Sequence, residues 1–311
     1  MAFFAVAVGI FLLIKGGEWL MKAAVALSLR FSIPKIVIGM TVVSFATSAP
    51  ELIVSIQSAL SGHPDLALGN VVGSNIANLG FVLAITIMIS PIEVTPSFFK
   101  TDWPMMIFAS LLFYFFLVID FKLVAYEGAI LFVLLLCFMV YLIKYQKESV
   151  LEEAPEDEQA LEISRTMTYL LLGGFSLWLG SETLIKGAVS LAQNLGVSER
   201  IISVSIVSIG TSIPELSASI IAIINKEKAL SLGNLIGSNI FNILAVMGIT
   251  AMIHPVKVED TGLLSNDIWW MLGISLLILP LVFFPKGVRL GWIDGLVLIT
   301  IYLFFILPLF M

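Results

Sequence analysis

The sequence predicts an all-α, polytopic membrane protein with ten transmembrane helices, arranged as two inverted repeats of five helices. Hydrophobic residues make up 59% of the 311 positions and charged residues only 12%, whereas soluble domains carry about 25% charged residues. Several stretches of about 20 residues contain few charges, which is the length that a helix needs to cross the hydrocarbon of a bilayer. The remaining observation is an internal duplication of the chain.

The apolar stretches define ten spans, with a polar linker between the fifth and the sixth. The predicted spans are residues 2–28, 36–60, 66–90, 103–119, 124–144, 166–192, 200–224, 229–253, 268–284 and 291–310. Seven acidic residues lie between Glu148 and Glu162, a charge density typical of a solvated segment. We therefore divide the chain into a first repeat (1–144), an acidic cytoplasmic linker (145–165) and a second repeat (166–311).

Lysine and arginine residues are distributed unequally between the two sides of this topology. One side carries Arg30, Lys35, Lys100, Lys144, Lys147, Arg165, Lys226, Lys228, Lys286 and Arg289, and the other carries Lys122, Arg200 and Lys257. Cytoplasmic loops carry an excess of basic residues, so the richer side is predicted to be cytoplasmic. The expectation is a multi-pass protein of the inner or plasma membrane with both termini extracytoplasmic.

The duplication has one constant offset. Aligning Phe11 with Phe175, 164 residues later, also aligns Glu51 with Glu215 and Asn78 with Asn242 without an insertion. Because five spans is an odd number, the second copy is expected to cross the membrane in the opposite sense to the first. Inverted repeats of this kind are common in secondary transporters, whose substrate sites lie near the midplane where the two copies meet.

The first repeated polar cluster runs from Thr47 to Glu51 and again from Thr211 to Glu215. Each copy contains a proline within a predicted span, which removes one backbone hydrogen bond and kinks the helix. The carbonyl groups freed in this way belong to Ala46 and Gly210, and a bound cation is one group that could satisfy them. A glutamate follows each proline, and a carboxylate inside the membrane is a candidate functional residue.

The second repeated cluster runs from Gly69 to Asn78 and again from Gly233 to Asn242. Ser74 and Asn78 are four residues apart and share one helix face, as do their counterparts in the second copy. The glycines also recur every four residues, a stripe that permits close approach of neighbouring helices.

The side chains shared by the two copies offer only oxygen ligands. Oxygen ligands favour hard cations such as Ca²⁺, whereas Zn²⁺ or Cu²⁺ would call for histidine or cysteine. Two glutamates carry the two negative charges that match one Ca²⁺, and the same oxygens could hold Na⁺. By contrast, Glu18 and Lys22, with their counterparts Glu182 and Lys186, have the spacing of structural ion pairs on one helix.

At these residues the chain resembles the calcium/cation antiporter superfamily, and specifically its sodium/calcium exchanger branch. The resemblance covers essentially the whole chain and implies ten helices, with spans 2, 3, 7 and 8 forming the ion sites and spans 1 and 6 sliding across them. It implies cation contacts from the side chains of Glu51, Glu215, Ser48, Ser212, Ser74 and Ser238 and from the carbonyls of Ser44, Thr47, Ser208 and Thr211. Asn78 and Asn242 would border the central position.

One departure from the family pattern concerns the coupling ion. Some members carry aspartate at the position of Asn242, and potassium-dependent exchangers show that pattern. Asparagine lowers the charge of the site by one, so we expect no potassium co-transport here. The proton/calcium branch typically has an extra acidic residue in its Gly-Asn segment, and neither copy contains one.

The expected function is electrogenic exchange of Na⁺ for Ca²⁺ by alternating access at a midplane site, with calcium export as its direction. A proton-coupled exchanger of Ca²⁺ or another divalent cation remains the alternative. A cation channel is a candidate of a different class, and an intramembrane enzyme is disfavoured because the clusters contain no recognised catalytic motif. Expected partners are the transported ions and the lipid bilayer, with no cofactor, nucleic acid or obligate protein partner.

Overall fold

The computed structural model describes residues 2–145, 161–194, 210–284 and 287–310. Most of the predicted acidic linker, the first part of the predicted seventh span and the candidate ligand Ser208 lie outside these residues.

Within the described residues the chain is built almost entirely of helices. They are α1 (Ala2–Phe31), α2 (Lys35–Thr47), α3 (Ala49–Leu60), α4 (Pro64–Ile89), α5 (Phe98–Asp120), α6 (Ala125–Tyr145), α7 (Ile163–Asn194), α8 (Ile213–Ile224), α9 (Lys228–Ile253), α10 (Leu263–Phe283) and α11 (Trp292–Ile306). Six of them are long and apolar enough to cross a membrane, and α2 and α3 together could form a seventh crossing. The large exposed side chains on their outer faces are apolar, for example Phe115, Val140 and Leu171.

The predicted second span is broken in the middle, as the proline in its sequence requires. Helices α2 and α3 meet at an angle of 46°, and Ser48 between them has φ −90° and ψ 6°. Pro50 lies in the first turn of α3, where it needs no hydrogen-bonded N–H. Ser212, at the equivalent place before α8, has nearly the same backbone angles, φ −86° and ψ 3°.

Five of the described helices contain a π-helical segment, and those of α4 and α9 lie at equivalent places in the two halves. In α4 it spans Asn78–Leu83 and in α9 it spans Asn242–Met247. Such widened turns interrupt the regular hydrogen-bond ladder and occur frequently at functional sites. The repeat offset of 164 residues therefore holds for backbone geometry as well as for sequence.

Two short antiparallel strand pairs join the halves of the chain. Strand β1 (Ile92–Glu93) pairs with β4 (Arg289–Leu290), and β2 (Lys122–Leu123) pairs with β3 (Val256–Lys257). Each pair takes one strand from each half, and the two pairs have equivalent positions in the repeat. Sequence reasoning did not anticipate these strands, because two-residue segments carry no periodic pattern.

Helices α1 and α7 pack closely and run antiparallel. A Cβ at Gly9 would lie 2.7 Å from the backbone nitrogen of Leu184, and one at Gly16 would lie 2.8 Å from that of Leu177. The equivalent glycines of α7 pack in the same way, because Gly180 faces Leu13 and Gly173 faces Leu20. Residues later in α1 therefore contact residues earlier in α7. The two equivalent helices therefore cross in opposite senses.

Contacts between connecting segments join loops that the sequence assigns to one side. Lys35 forms an ion pair with Glu227 at 2.8 Å, and both are predicted to be cytoplasmic. On the other side, the Asp65 carboxylate accepts backbone N–H bonds from Glu259 and Asp260 at 2.9 Å each.

The expected structural ion pairs of α1 and α7 are confirmed in α7 and differ in α1. Glu182 pairs with Lys186 at 3.1 Å. Glu18 pairs with Lys15 at 2.8 Å, where Lys22 was the expected partner. Lys15 is one turn before Glu18 and lies on the same helix face, so it reaches the carboxylate equally well.

Candidate ion-binding site

Glu51 and Glu215 occupy equivalent positions in the first turns of α3 and α8, and both are completely buried. The two carboxylates are close enough to interact electrostatically. Ser48 donates a hydrogen bond to Oε1 of Glu215 at 3.0 Å. Both carboxylate oxygens of Glu51 and Oε2 of Glu215 have no hydrogen-bond partner in the described part of the chain. A buried carboxylate without such partners either takes up a proton or is paired with a cation.

Other buried carboxylates of the protein are satisfied by nearby donors. Glu127 accepts a bond from the backbone N–H of Val124 at 3.0 Å, and Asp294 accepts one from Gly291 at 2.7 Å. These two residues cap α6 and α11 and have a structural role. The contrast singles out Glu51 and Glu215 as carboxylates whose oxygens are left for another partner.

Hydroxyl groups from the two halves meet around the glutamates. Thr47 lies 3.4 Å from the Ser238 hydroxyl, and Thr211 lies 3.3 Å from the Ser74 hydroxyl. These two contacts are equivalent under the repeat, so spans from both halves contribute to one cluster. Ser212, the counterpart of Ser48, is buried, and its hydroxyl has no hydrogen-bond partner in the part of the chain that the structure describes.

Asn78 and Asn242 lie at the starts of the two π-helical segments and are fully buried. The Asn242 amide donates to Oδ1 of Asn75 at 3.1 Å, while its own Oδ1 is unpaired. Neither polar atom of Asn78 has a partner among the described residues. The central amides therefore add unpaired oxygen atoms to those of the carboxylates.

Two of the backbone carbonyls that the sequence analysis considers accept hydrogen bonds within the described chain. The Ser44 carbonyl accepts the backbone N–H of Ser48 at 2.9 Å. The Gly210 carbonyl, freed by Pro214, accepts the Ser181 hydroxyl at 2.9 Å, so a cation is not needed to satisfy it. The signal was missed because Ser181 has glycine as its counterpart in the first copy.

Four further asparagines support the cluster, and sequence reasoning did not single them out. Asn70 donates to the carbonyl of Glu51 at 3.2 Å and to Ser55 at 3.0 Å. Asn234 accepts a bond from Thr47 at 3.2 Å. Asn75 and Asn239 lie beside Asn78 and Asn242. Asn70 is equivalent to Asn234, and Asn75 to Asn239, at the offset of 164 residues. This repetition is the signal that could have identified them.

A cavity connects the cluster with one side of the protein. A cavity of about 410 Å³ has Asn70, Ser74 and Thr211 in its wall, with Asp267 and Tyr302 further out. It lies on the side of the loop that contains Asp65.

On the opposite side, α2 packs directly onto the glycines of α9. A Cβ at Gly39 would lie 2.6 Å from the carbonyl oxygen of Leu230, and one at Gly233 would overlap the carbonyl oxygen of Ile36. Gly233 is buried, whereas its counterpart Gly69 is exposed. These two equivalent glycines therefore have different surroundings.

The chemistry of the cluster is that of a hard-cation site. Its ligand atoms are carboxylate, hydroxyl and amide oxygens. Among the described residues no lysine, arginine or histidine is buried, and no group of three or more His, Cys, Asp or Glu residues could hold a metal ion. When both glutamates are ionised, they carry a charge of −2 that no buried cationic side chain among the described residues compensates.

Comparison with known proteins gives a consistent result. Residues 1–144 and 166–311 match the sequence model of the family described as "Sodium/calcium exchanger protein". The chain is 37% identical to CaxA of Alkalimonas amylolytica, covering 96% of this chain and 95% of the relative. It is 27% identical to sodium/calcium exchanger MaX1 of Methanosarcina acetivorans, with 99% and 98% covered.

A solved structure of the sodium-calcium exchanger NCX_Mj, soaked with 2.5 mM Na⁺ and 0.1 mM Ca²⁺, superimposes with a TM-score of 0.80 at 25% identity. The match covers 100% of this chain and 99% of NCX_Mj. The family consists of membrane transporters rather than enzymes. Together with the buried oxygen cluster, these matches show that the chain belongs to the sodium/calcium exchanger family of membrane antiporters.

Proposed function

We propose that this protein exchanges Na⁺ for Ca²⁺ electrogenically, by alternating access at a single site around Glu51 and Glu215. The observation that carries the proposal is the set of buried oxygen atoms on Glu51, Glu215, Asn78 and Asn242 that have no hydrogen-bond partner among the described residues. These atoms would contact the ions, together with hydroxyl and carbonyl oxygens of the neighbouring residues. The proposed hydroxyl ligands are those of Ser48, Ser212, Ser74 and Ser238, and the proposed carbonyl ligands are those of Ser44, Thr47, Ser208 and Thr211.

The proposed architecture has ten transmembrane helices in two inverted repeats, 1–144 and 166–311, joined by a cytoplasmic linker, 145–165. The antiparallel packing of α1 on α7 supports the inversion, because equivalent helices of inverted repeats run in opposite directions. The loop contacts at Lys35 and Asp65 support the alternation of sides. With the basic loops in the cytoplasm, both termini are extracytoplasmic.

Alternation between two states is supported by the unequal surroundings of the equivalent glycines Gly69 and Gly233. The cavity lined by Asn70 and Ser74 leads to the extracytoplasmic side in this topology, while α2 seals the equivalent region beside Gly233. Exchanging the conformations of the halves would close the first path and open the second. A protein built in this way exposes one site to each side in turn, which is how an antiporter couples two ions.

The charge of the site explains why the two ions exclude each other. One Ca²⁺ neutralises the two carboxylates, and Na⁺ ions would compensate the same charges one at a time. Each ion set must therefore leave before the other binds. Three Na⁺ for each Ca²⁺, as the family resemblance implies, would move one net charge per cycle, worth about 2.3 kcal/mol per 100 mV of membrane potential.

Uptake of radioactive calcium into sodium-loaded proteoliposomes tests the proposal. We expect uptake to require internal Na⁺ and to be unaffected by potassium gradients. Uptake driven by a proton gradient instead would assign the protein to proton-coupled exchange. Unitary currents in single-channel recording would identify a channel and contradict alternating access.

A further inference from the structure

Four buried asparagines, two from each half, lie side by side where α4 and α9 meet. They are Asn75 and Asn78 on α4 and Asn239 and Asn242 on α9, and each is at most 1% exposed. The repeat relates Asn75 to Asn239 and Asn78 to Asn242 by the same offset. The π-helical segment that begins at Asn78 packs against α9, and the one that begins at Asn242 packs against α4.

The hydrogen bonds within this group do not follow the symmetry of the sequence. Asn242 donates to Oδ1 of Asn75 at 3.1 Å, and Asn75 donates to the backbone carbonyl of Asn239 at 3.2 Å. Asn239 instead donates to the Leu235 carbonyl of its own helix at 3.1 Å. Its Oδ1 and both polar atoms of Asn78 have no partner within the described ranges.

The two outer asparagines decide how the two central amides are oriented. An acceptor for the NH₂ group of an amide favours the orientation in which the amide oxygen faces away from that acceptor and is free for a cation. Asn75 supplies that acceptor for Asn242, which leaves Oδ1 of Asn242 unpaired. The corresponding acceptor for Asn78 would be Oδ1 of Asn239, and that oxygen is unpaired here.

We propose that Asn75 and Asn239 are positioning residues that orient Asn242 and Asn78 in alternation during the transport cycle. In the state described here, with the cavity beside Ser74 open, Asn75 holds Asn242. In the oppositely open state Asn239 holds Asn78, and Asn75 bonds within α4. The two arrangements contain equivalent bonds because the repeat interchanges them, so the exchange favours neither state strongly. The inference rests on the proposed function, since it links the switch between the two hydrogen-bond arrangements to alternating access.

Substituting each outer asparagine in turn by alanine distinguishes this role from a purely structural one. Asn75→Ala removes both bonds that link α4 to α9 in the state described here, whereas Asn239→Ala removes no side-chain bond between the helices. Asn75 makes one bond in the opposite state, so its loss costs the state described here one hydrogen bond more than it costs the other. A difference of one hydrogen bond shifts the equilibrium between the two states about five-fold. We therefore expect Asn75→Ala to raise the apparent KM for Ca²⁺ on the cavity side and to lower it on the opposite side, and Asn239→Ala to do the reverse.

A second measurement reports the opening without relying on the coupling ion. In a Cys137→Ser background, Ser58→Cys places a thiol in the wall of the cavity, and a membrane-impermeant maleimide measures its accessibility. We expect Asn75→Ala to slow labelling about five-fold and Asn239→Ala to leave it as fast or faster. If the alanine variants do not fold, Asn75→Thr and Asn239→Thr are compared in the same assays, with the same directions expected.

Shifts of the same sign in both variants, or labelling rates that both stay within about two-fold of the parent, would overturn the inference. The labelling result stands even if transport is coupled to protons rather than Na⁺. Failure of the proposed function and failure of this inference are therefore distinguishable.

Discussion

Replacing Glu215 by glutamine removes one of the two charges of the proposed site while keeping the shape of the side chain. Glutamine can still accept the Ser48 hydroxyl bond, which is 3.0 Å long in the native protein, so the fold should be retained. Glu215 is completely buried and its Oε2 has no hydrogen-bond donor in the described structure. Removing one partner of a buried charge pair costs about 3–5 kcal/mol. Calcium affinity should therefore fall roughly 100-fold to several thousand-fold.

The assay is calcium flux in sodium-loaded proteoliposomes over a wide range of calcium concentrations. The matched control is Glu182→Gln, which makes the same chemical change at an exposed carboxylate paired with Lys186. We expect the control to behave as wild type and Glu215→Gln to show no saturable flux near the wild-type KM. Calcium flux of Glu215→Gln with a wild-type KM would refute the reasoning.

Three further substitutions test other parts of the account. Gly233→Ala should lower stability in detergent by about 1–3 kcal/mol, because its Cβ would overlap the Ile36 carbonyl. The control Gly273→Ala should not lower stability, because no described atom lies close to its Cβ. Glu227→Gln should cost about 1 kcal/mol of stability and raise calcium affinity from the cytoplasmic side, because it breaks the ion pair with Lys35 across the closed side; unchanged cytoplasmic affinity would contradict this. Asp267→Asn, at the outer cavity, should raise the KM for external cations about two- to five-fold at low salt and less at high salt. A KM effect that does not depend on salt would speak against electrostatic attraction.

The sequence singles out the proposed site residues because they recur at one offset. Glu51 and Glu215 combine a costly charge with a neighbouring proline, and both properties can be recognised without a structure. The structure brings these two carboxylates close together and buries them. The break at Ser48 also followed from Pro50 alone.

Other features could not be predicted, because a symmetric sequence does not reveal which conformation each half adopts. Asn75 and Asn239 occupy equivalent positions. Among the described residues, however, Asn75 bonds to the central amide of the other half and Asn239 does not. The Ser181 bond to Gly210 depends on a tertiary contact between distant helices. Likewise, each strand pair joins a segment of one half to a segment of the other, and the sequence of a single half does not contain that information.

The central claim is that Na⁺ and Ca²⁺ use the same two carboxylates in turn, and simultaneous measurement of both fluxes tests it most directly. Proteoliposomes loaded with radioactive sodium are placed in radioactive calcium, with the wild-type protein and with Glu51→Gln. The account predicts that sodium efflux and calcium uptake occur in a fixed ratio, that external Na⁺ competes with Ca²⁺, and that Glu51→Gln abolishes both fluxes together. Sodium and calcium fluxes that proceed independently, or a Glu51→Gln protein that exchanges both ions normally, would contradict it.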